Sequence, residues 1–277
     1  MIKALNKKNM NSILNAKYNL NVEGNLSAKQ TLVFAHGFGT DQTAWNAVKE
    51  AFLADYKLIL YDNIGSGQSD PDAYSPIKYN SLNSYAQDMV NIIEGLELED
   101  TIIIAHSVSS MIAVLAAIRI PERISRLVLI GASPSYLNDD SENYIGGFTQ
   151  EVLEGMYNSM TTNYYAWASG FSSLAMGNPD KPELGLQFAQ KLSAIRPDIA
   201  LSVAKVIFES DVRKDLAALK KETLLLHAWN DIAVPEEVAN YLKEHIEGST
   251  LNMLNATGHL PHISAPGEVI AAIKSFI

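Results

Sequence analysis

The sequence predicts an α/β fold in which a mainly parallel sheet is covered by helices on both faces. Short, β-branched apolar runs recur along the chain, and segments of helical period lie between them. The runs are continuously apolar, as expected for strands buried on both faces. With 277 residues and 47% hydrophobic content, the chain can also bury a large core. We therefore expect one α/β domain that carries an insertion.

Apolar runs predict the strands, and segments with helical periodicity predict the helices. The expected strands are 31–35, 57–61, 101–105, 126–130, 223–226 and 250–254, with a weaker one at 18–22. The expected helices of this domain are 43–54, 82–96, 107–118, 235–247 and 266–277.

The alternation of strands and helices stops after Gly131, and roughly 90 residues pass before the next strand at Thr223. Short helical patterns rich in aromatic residues fill this stretch. We expect a cap of four helices, inserted after the sixth strand and covering the carboxyl ends of the strands, where ligands bind in open α/β sheets. The expected division is an N-terminal extension at 1–15, a core at 16–133 and 198–277, and the cap at 134–197.

Composition excludes several classes of function. The net charge of −10 disfavours nucleic acid and anionic membrane surfaces as partners, since both are bound by clustered Lys and Arg. There is no cysteine, and no pair of histidines has a carboxylate at metal-binding spacing, so we expect neither a metal nor a cofactor. We find no signal segment and no apolar stretch long enough to span a membrane, so we expect a cytoplasmic protein.

Ser107 is the strongest candidate for a nucleophile. It lies between the apolar run 101–105 and a helical segment, where a sharp strand-to-helix turn would lift its hydroxyl out of the sheet. Ala105 and Ser109 replace the glycines of the Gly-x-Ser-x-Gly pattern, but both are small enough for a tight crossing of strand and helix. The bare motif is weakened, so the assignment depends on partners elsewhere in the chain.

A serine nucleophile needs a base and an acid that orients the base. His259 follows the last predicted strand in a loop that contains Gly258, and Asp231 follows the preceding strand. The order Ser107, Asp231, His259 is the chain order of α/β-hydrolases. His262 is a rival base, and we prefer His259 because it directly follows the glycine.

Two main-chain amides are candidates for an oxyanion hole. Val108 directly follows the nucleophile, and Phe38 lies in the string His36-Gly-Phe-Gly after the strand 31–35. Two other motifs receive structural interpretations. Gly65-Ser-Gly67 lacks the third glycine of a phosphate-binding loop, and Asp62 precedes the serine in the chain, so we assign both to turns.

Several strings together make the chain resemble one branch of the α/β-hydrolases, which contains the bacterial RsbQ-type stress-regulator hydrolases and the plant karrikin and strigolactone receptors. The resemblance runs from about residue 12 to residue 277. It rests on His36-Gly-Phe-Gly, Asp41-Gln-x-x-Trp45, His106-Ser-Val-Ser, Ser133-Pro-Ser-Tyr, Arg196-Pro-Asp-Ile-Ala and Gly258-His-Leu-Pro-His.

The resemblance implies a small, mostly apolar pocket beneath a V-shaped cap. Besides Phe38 and Val108, the residues that it places in the pocket are Tyr136, Trp167, Phe171, Phe208 and Ile232. Tyr136 stands where many receptor-type relatives are expected to have phenylalanine, so its hydroxyl would add a polar contact to the pocket.

The leading hypothesis is a cofactor-independent serine hydrolase that acts on a small apolar ester, lactone or butenolide-like ligand. The alternative is a small-molecule sensor with slow hydrolysis, whose cap engages a protein signalling partner, as the resemblance implies. Perhydrolase or cofactor-free haloperoxidase activity uses the same three residues and stays open. Dehalogenase chemistry is disfavoured, because it needs an aspartate in place of Ser107.

Overall fold

The computed structural model describes residues 11–277, and its centre is a mainly parallel sheet of seven strands. The strands are β1 (Asn21–Gly24), β2 (Thr31–Ala35), β3 (Lys57–Leu60), β4 (Thr101–His106), β5 (Ile124–Ile130), β6 (Glu222–Trp229) and β7 (Ser249–Thr257). Their order is β1-β3-β2-β4-β5-β6-β7. All neighbours are parallel except β1 and β3, which are antiparallel. The predicted fold class is therefore confirmed.

Within residues 11–277, eight helices of ten or more described residues pack around this sheet or form the insertion. They are α1 (Leu82–Gly95), α2 (Val108–Arg119), α3 (Gln150–Thr162), α4 (Tyr164–Met176), α5 (Pro182–Ser193), α6 (Pro197–Phe208), α7 (Glu236–His245) and α8 (Pro266–Phe276). The expected helix at 43–54 is instead three short pieces, Gln42–Trp45, Asn46–Lys49 and Glu50–Phe52. Pro261–Ser264 forms one further short helix. Among residues 11–277, no helix combines the length and apolar character that crossing a bilayer requires.

Both faces of the sheet are buried. On β2, Val33 belongs to one apolar cluster, whereas its neighbours Leu32 and Phe34 belong to a second cluster. Successive side chains of a strand point to opposite faces, so the two clusters are the cores on the two sides of the sheet. This double burial explains why the strands are continuously apolar in sequence.

The first described residues form a helix over 11–18. Leu14 is buried, and the Tyr18 hydroxyl donates a hydrogen bond to the buried Asp88 carboxylate at 2.7 Å. Residues 11–15 are therefore part of a packed helix and not a loose extension, while residues 1–10 of the predicted extension lie outside the described residues. The strand expected at 18–22 begins only at Asn21, because the helix runs through residue 18 and Asn19 turns the chain with φ 46°.

Helices α3 to α6 form the inserted segment, which follows β5. This is the fifth strand of residues 11–277, so the predicted position after the sixth strand is wrong; the sequence itself offers only five apolar runs before the insertion. The predicted cap stopped at residue 197, where α6 begins, but α6 continues to Phe208. The segment closes on itself, since the Pro134 carbonyl accepts a hydrogen bond from the Val212 amide at 2.7 Å.

Candidate active site

Ser107 occupies the turn between β4 and α2. Its backbone has φ 54° and ψ −126°, in the left-handed half of φ space that side chains rarely adopt. The Ser107 amide donates to the Ile130 carbonyl at 2.8 Å, so the neighbouring strand β5 anchors this strained turn. The strand, the turn and the helix together form the elbow that the sequence predicted.

The structure brings Ser107, His259 and Asp231 into one hydrogen-bonded row. His259 Nε2 lies 2.8 Å from Ser107 Oγ, and His259 Nδ1 lies 2.7 Å from Asp231 Oδ2. The other carboxylate oxygen, Oδ1, accepts from the amides of Ala233 at 2.9 Å and Val234 at 3.1 Å. A carboxylate can accept a hydrogen bond but cannot donate one, so His259 Nδ1, which faces Asp231, carries the proton. His259 Nε2 is then free to accept the serine proton.

Gly258 allows His259 to reach the serine. It has φ +83°, and a side chain at this position would collide with the Met176 carbonyl at the end of α4. The His259 amide also donates to the Ala175 carbonyl at 2.8 Å. The loop that carries His259 is thus fixed against an inserted helix as well as the sheet.

A hydrogen-bond network holds the loop that contains Phe38. The Asn63 amide donates to His36 Nε2 at 2.9 Å, so His36 carries its proton on Nδ1 and donates it to the Gly37 carbonyl at 2.9 Å. Ser109 Oγ donates to the His36 carbonyl at 2.5 Å, which ties the elbow helix to this loop. Ser109, at a glycine position of the motif, therefore joins the two predicted oxyanion segments.

The two predicted oxyanion donors flank the serine. Phe38 lies in the cavity wall beside Ser107, and Val108 is the first residue of α2. Neither amide donates to another group within the described part of the chain, 11–277. Their role as oxyanion donors stays a prediction.

Two further histidines lie behind the row. His106 Nε2–H donates to the His259 carbonyl at 2.8 Å, and its ring lies 4.3 Å from the ring of His262. The His262 ring lies 4.5 Å from the Trp45 ring, and neither ring nitrogen has a hydrogen-bond partner among residues 11–277. The structure therefore brings His259, and not the rival His262, to Ser107. Burial lowers the pKa of His262 to about 3 and that of His106 well below its usual value, so both rings are neutral at pH 7.

A small cavity of about 20 Å³ lies above Ser107. Of the predicted pocket residues, it is lined by Phe38, Tyr136, Phe171 and Phe208. The hydroxyl oxygens of Tyr136 and Ser107 are 3.5 Å apart. Burial raises the pKa of Tyr136, so its phenol keeps its proton at neutral pH and can donate it in a hydrogen bond.

Trp167 and Ile232 do not reach this cavity. They line a larger groove of about 640 Å³ between α3, α4 and the loop that follows β6, and we call it the outer groove. Trp167 stacks on Phe171 at 5.1 Å, and Phe171 contributes to the walls of both spaces. The placement of Trp167 and Ile232 beside the serine is corrected accordingly.

The remaining walls include residues that we did not predict as pocket residues. They are His106, Phe188, Ile207, Ala233 and Leu260. Phe188 is one of the aromatic residues of the segment 134–197, but Ile207 and Leu260 carry no signal that separates them from core residues. No group of three or more His, Asp or Glu side chains in residues 11–277 is arranged to hold a metal ion.

Comparison with known proteins identifies the family. A family model described as the alpha/beta hydrolase fold matches residues 30–266. The strigolactone esterase RMS3 of Pisum sativum is 45% identical over 250 residues, covering 90% of this chain and 92% of the relative. The karrikin insensitive 2 receptor CA of Petunia hybrida is 40% identical over 267 residues, covering 96% and 97%.

A solved structure agrees with these relatives. The hydrolase olei00960 of Oleispira antarctica superposes with a TM-score of 0.91 at 33% identity, over 96% of each chain. The resemblance to strigolactone and karrikin receptors is confirmed by the relatives, and the fold by the sheet and its structural neighbour. The chain therefore belongs to the α/β-hydrolase family and is similar throughout to the strigolactone esterases and karrikin receptors within it.

Proposed function

We propose that this chain is a serine hydrolase that cleaves a small apolar ester or lactone. Ser107 is the nucleophile, His259 the general base, and Asp231 the residue that orients the base. One observation carries the proposal: the His259 imidazole has the hydroxyl of Ser107 at 2.8 Å on one nitrogen and the carboxylate of Asp231 at 2.7 Å on the other.

In the first half-reaction, Ser107 Oγ attacks the substrate carbonyl carbon while its proton passes to His259 Nε2. The carbonyl oxygen becomes an oxyanion, which the amides of Phe38 and Val108 stabilise. His259 then gives the proton to the leaving alkoxide as the carbon–oxygen bond breaks. The products are an alcohol and an acyl group on Ser107; in a lactone, the alcohol stays attached to the acyl group.

Water completes the cycle. It gives a proton to His259 Nε2 and attacks the acyl carbon, and the tetrahedral intermediate collapses when His259 returns this proton to Ser107 Oγ. The Asp231 carboxylate accepts the hydrogen bond from His259 Nδ1 and stabilises the imidazolium that forms twice in each cycle.

The size and lining of the cavity support a small, apolar substrate that enters only after the insertion moves. A free volume of about 20 Å³ accommodates about one water molecule, so the aromatic side chains above Ser107 must shift before an ester can bind. The net charge of −10 also disfavours anionic substrates. Relatives named as strigolactone esterases and karrikin receptors favour an ester, lactone or butenolide-like ligand. We also propose that the protein is located in the cytoplasm.

A ligand sensor is the second candidate. It is favoured by the need to move Phe171, which separates the cavity from the outer groove, because a bound ligand would then hold the insertion in a different arrangement. The relatives named as receptors support this reading. In it, hydrolysis is slow and the rearranged insertion engages a protein signalling partner.

The test compares two serine variants on 4-nitrophenyl acetate. Ser107→Ala should lose at least about 10³-fold in kcat and no longer form an acyl adduct detectable by mass spectrometry. Ser110→Ala is the matched control, because Ser110 is also a buried serine at the start of α2, but its hydroxyl donates to the Ala105 carbonyl and not to His259. It should retain turnover. Undiminished turnover in Ser107→Ala would reject the proposal.

A second measurement separates the two candidates. Hydrogen exchange of α3 and α4 in Ser107→Ala is compared with and without a lactone ligand. Ligand-dependent protection of these helices together with slow wild-type turnover favours the sensor. Fast turnover with no change in exchange favours a metabolic hydrolase.

A further inference from the structure

A second internal void lies on the other side of Phe38 from the Ser107 cavity. Its walls include Phe38, Leu82, Tyr85, Val108, Ile112 and Val203, and we call it the side void. It has about 20 Å³ of free volume. Phe38 and Ile207 contribute to the walls of both spaces, so displacement of these side chains would join them.

One wall residue of the side void, Tyr85, carries a buried polar group that has no partner in the described part of the chain. Tyr85 is only 5% exposed, and its hydroxyl has no hydrogen-bond partner anywhere in residues 11–277. A buried hydroxyl without a partner is costly, and such groups in native proteins call for an explanation. Burial raises the pKa of Tyr85, so the hydroxyl keeps its proton and offers it to an acceptor.

Geometry decides which part of a substrate would reach the side void. The leaving-group oxygen must stay near His259, which lines the Ser107 cavity but not the side void. The outer groove shares Phe171 and Ala233 with the Ser107 cavity, and neither residue lines the side void. Phe38 and Val108, the proposed oxyanion residues, both line the side void. The acyl chain is therefore the part that extends toward Tyr85.

We propose that the side void is a subsite for the far end of the acyl group, and that it takes a short alkyl chain bearing an oxygen acceptor. The chain enters when Phe38 and Ile207 are displaced, and the oxygen accepts a hydrogen bond from Tyr85. This inference rests on the proposed function and narrows its substrate class to keto- or alkoxy-substituted short acyl groups.

The first test removes only the hydroxyl. Wild type and Tyr85→Phe are compared on the 4-nitrophenyl esters of 5-oxohexanoic and hexanoic acid, which differ in one oxygen. The ratio of kcat/KM, oxo ester to plain ester, should fall about fivefold in Tyr85→Phe, the effect of one hydrogen bond. Tyr61→Phe is the matched control, because its hydroxyl is equally buried and without a partner in residues 11–277 but does not line the side void. Its ratio should equal that of wild type.

The second test fills the space. Val203 is half-buried and lines the side void, so the larger side chain of Val203→Phe would occupy part of this space. The kcat/KM of the hexanoate ester relative to the acetate ester should fall about tenfold, since burial of one or two methylenes is lost. An unchanged oxo preference in Tyr85→Phe, or an unchanged chain-length preference in Val203→Phe, overturns the subsite. If Ser107→Ala is inactive in the same assays, the proposed function stands while the subsite fails.

Discussion

The Nε2–H group of His106 donates a hydrogen bond to the main-chain carbonyl of His259 at 2.8 Å. The two rings lie 4.9 Å apart, and a side chain on Gly37 would collide with Nδ1 of His106. The residue before the proposed nucleophile thus touches both the backbone of the proposed base and the loop of the proposed oxyanion hole. These contacts indicate that His106 positions the reacting groups.

His106→Gln and His106→Leu should therefore differ. Glutamine can place an amide donor near the position of Nε2, whereas leucine fills similar space without a donor. We expect kcat to fall about 10- to 100-fold in His106→Leu with little change in KM, because a small displacement of His259 is costly for the chemical step. His106→Gln should recover most of this loss in steady-state kinetics. Equal kcat values in the two variants would assign His106 to packing alone.

Gly37→Ala should cause a large loss of activity and only a moderate loss of folding stability. The new methyl group collides with the buried His106 ring and forces it away from His259. We expect kcat/KM to fall about 100-fold, while the free energy of unfolding falls by about 1–3 kcal/mol. Gly155→Ala is the control, because a methyl group there meets nothing within 4 Å and glycine is a poor helix former. It should keep full activity and gain stability in urea unfolding.

Asp231→Asn tests the orientation of the base. An asparagine amide can donate to His259 Nδ1, which moves the imidazole proton to Nε2 and leaves no acceptor for the Ser107 proton. We expect kcat to fall by about 10⁴-fold, as in other hydrolases with this arrangement, while the fold is kept. The same substitution at the exposed Asp215 should have no effect on kcat. Full activity in Asp231→Asn would remove Asp231 from the mechanism.

His262 should make the protein sensitive to acid. Burial, with smaller contributions from the neighbouring His259 and His36, lowers the pKa of His262 to about 3, whereas an unfolded histidine has a pKa near 6.5. Below about pH 6.5 the unfolded chain binds a proton that the folded chain does not. The free energy of unfolding therefore falls by up to about 1.4 kcal/mol per pH unit as the pH drops toward 3.

Urea unfolding at about pH 7 and about pH 5 measures this effect. His262→Phe keeps an aromatic ring beside Trp45 and removes the titrating group, so the loss of stability between the two pH values should be smaller than in wild type. His245→Gln changes an exposed histidine and should leave the difference as it is. A pH dependence that is identical in His262→Phe and wild type would contradict the prediction.

The convergence of Ser107, Asp231 and His259 could be predicted because each follows a parallel strand, and the carboxyl ends of parallel strands meet at one edge of the sheet. The pocket could be predicted only in part. Trp167 and Phe171 are four residues apart on α4 and share one face of that helix, but only Phe171 reaches the cavity. The tilt and rotation of α4 against its neighbours decide this, and a local pattern does not contain them.

Two further segments adopt structures that differ from their local sequence patterns. The run 18–22 has strand composition, but Tyr18 ends a helix, and its hydroxyl donates to Asp88, 70 positions further along the chain. The expected helix at 43–54 forms as three short pieces. The local sequence of either segment does not predict the helix end at Tyr18 or the three short helices.

The hydrogen bond between Pro134 and Val212 joins the two points where the chain leaves and re-enters the sheet domain. A segment whose ends already touch can be exchanged for another of different length without moving any strand. Grafting the corresponding segment of a relative between these residues would then transfer ligand preference as one cassette, provided that the graft keeps the α4 carbonyl of residue 175 that accepts from the His259 amide.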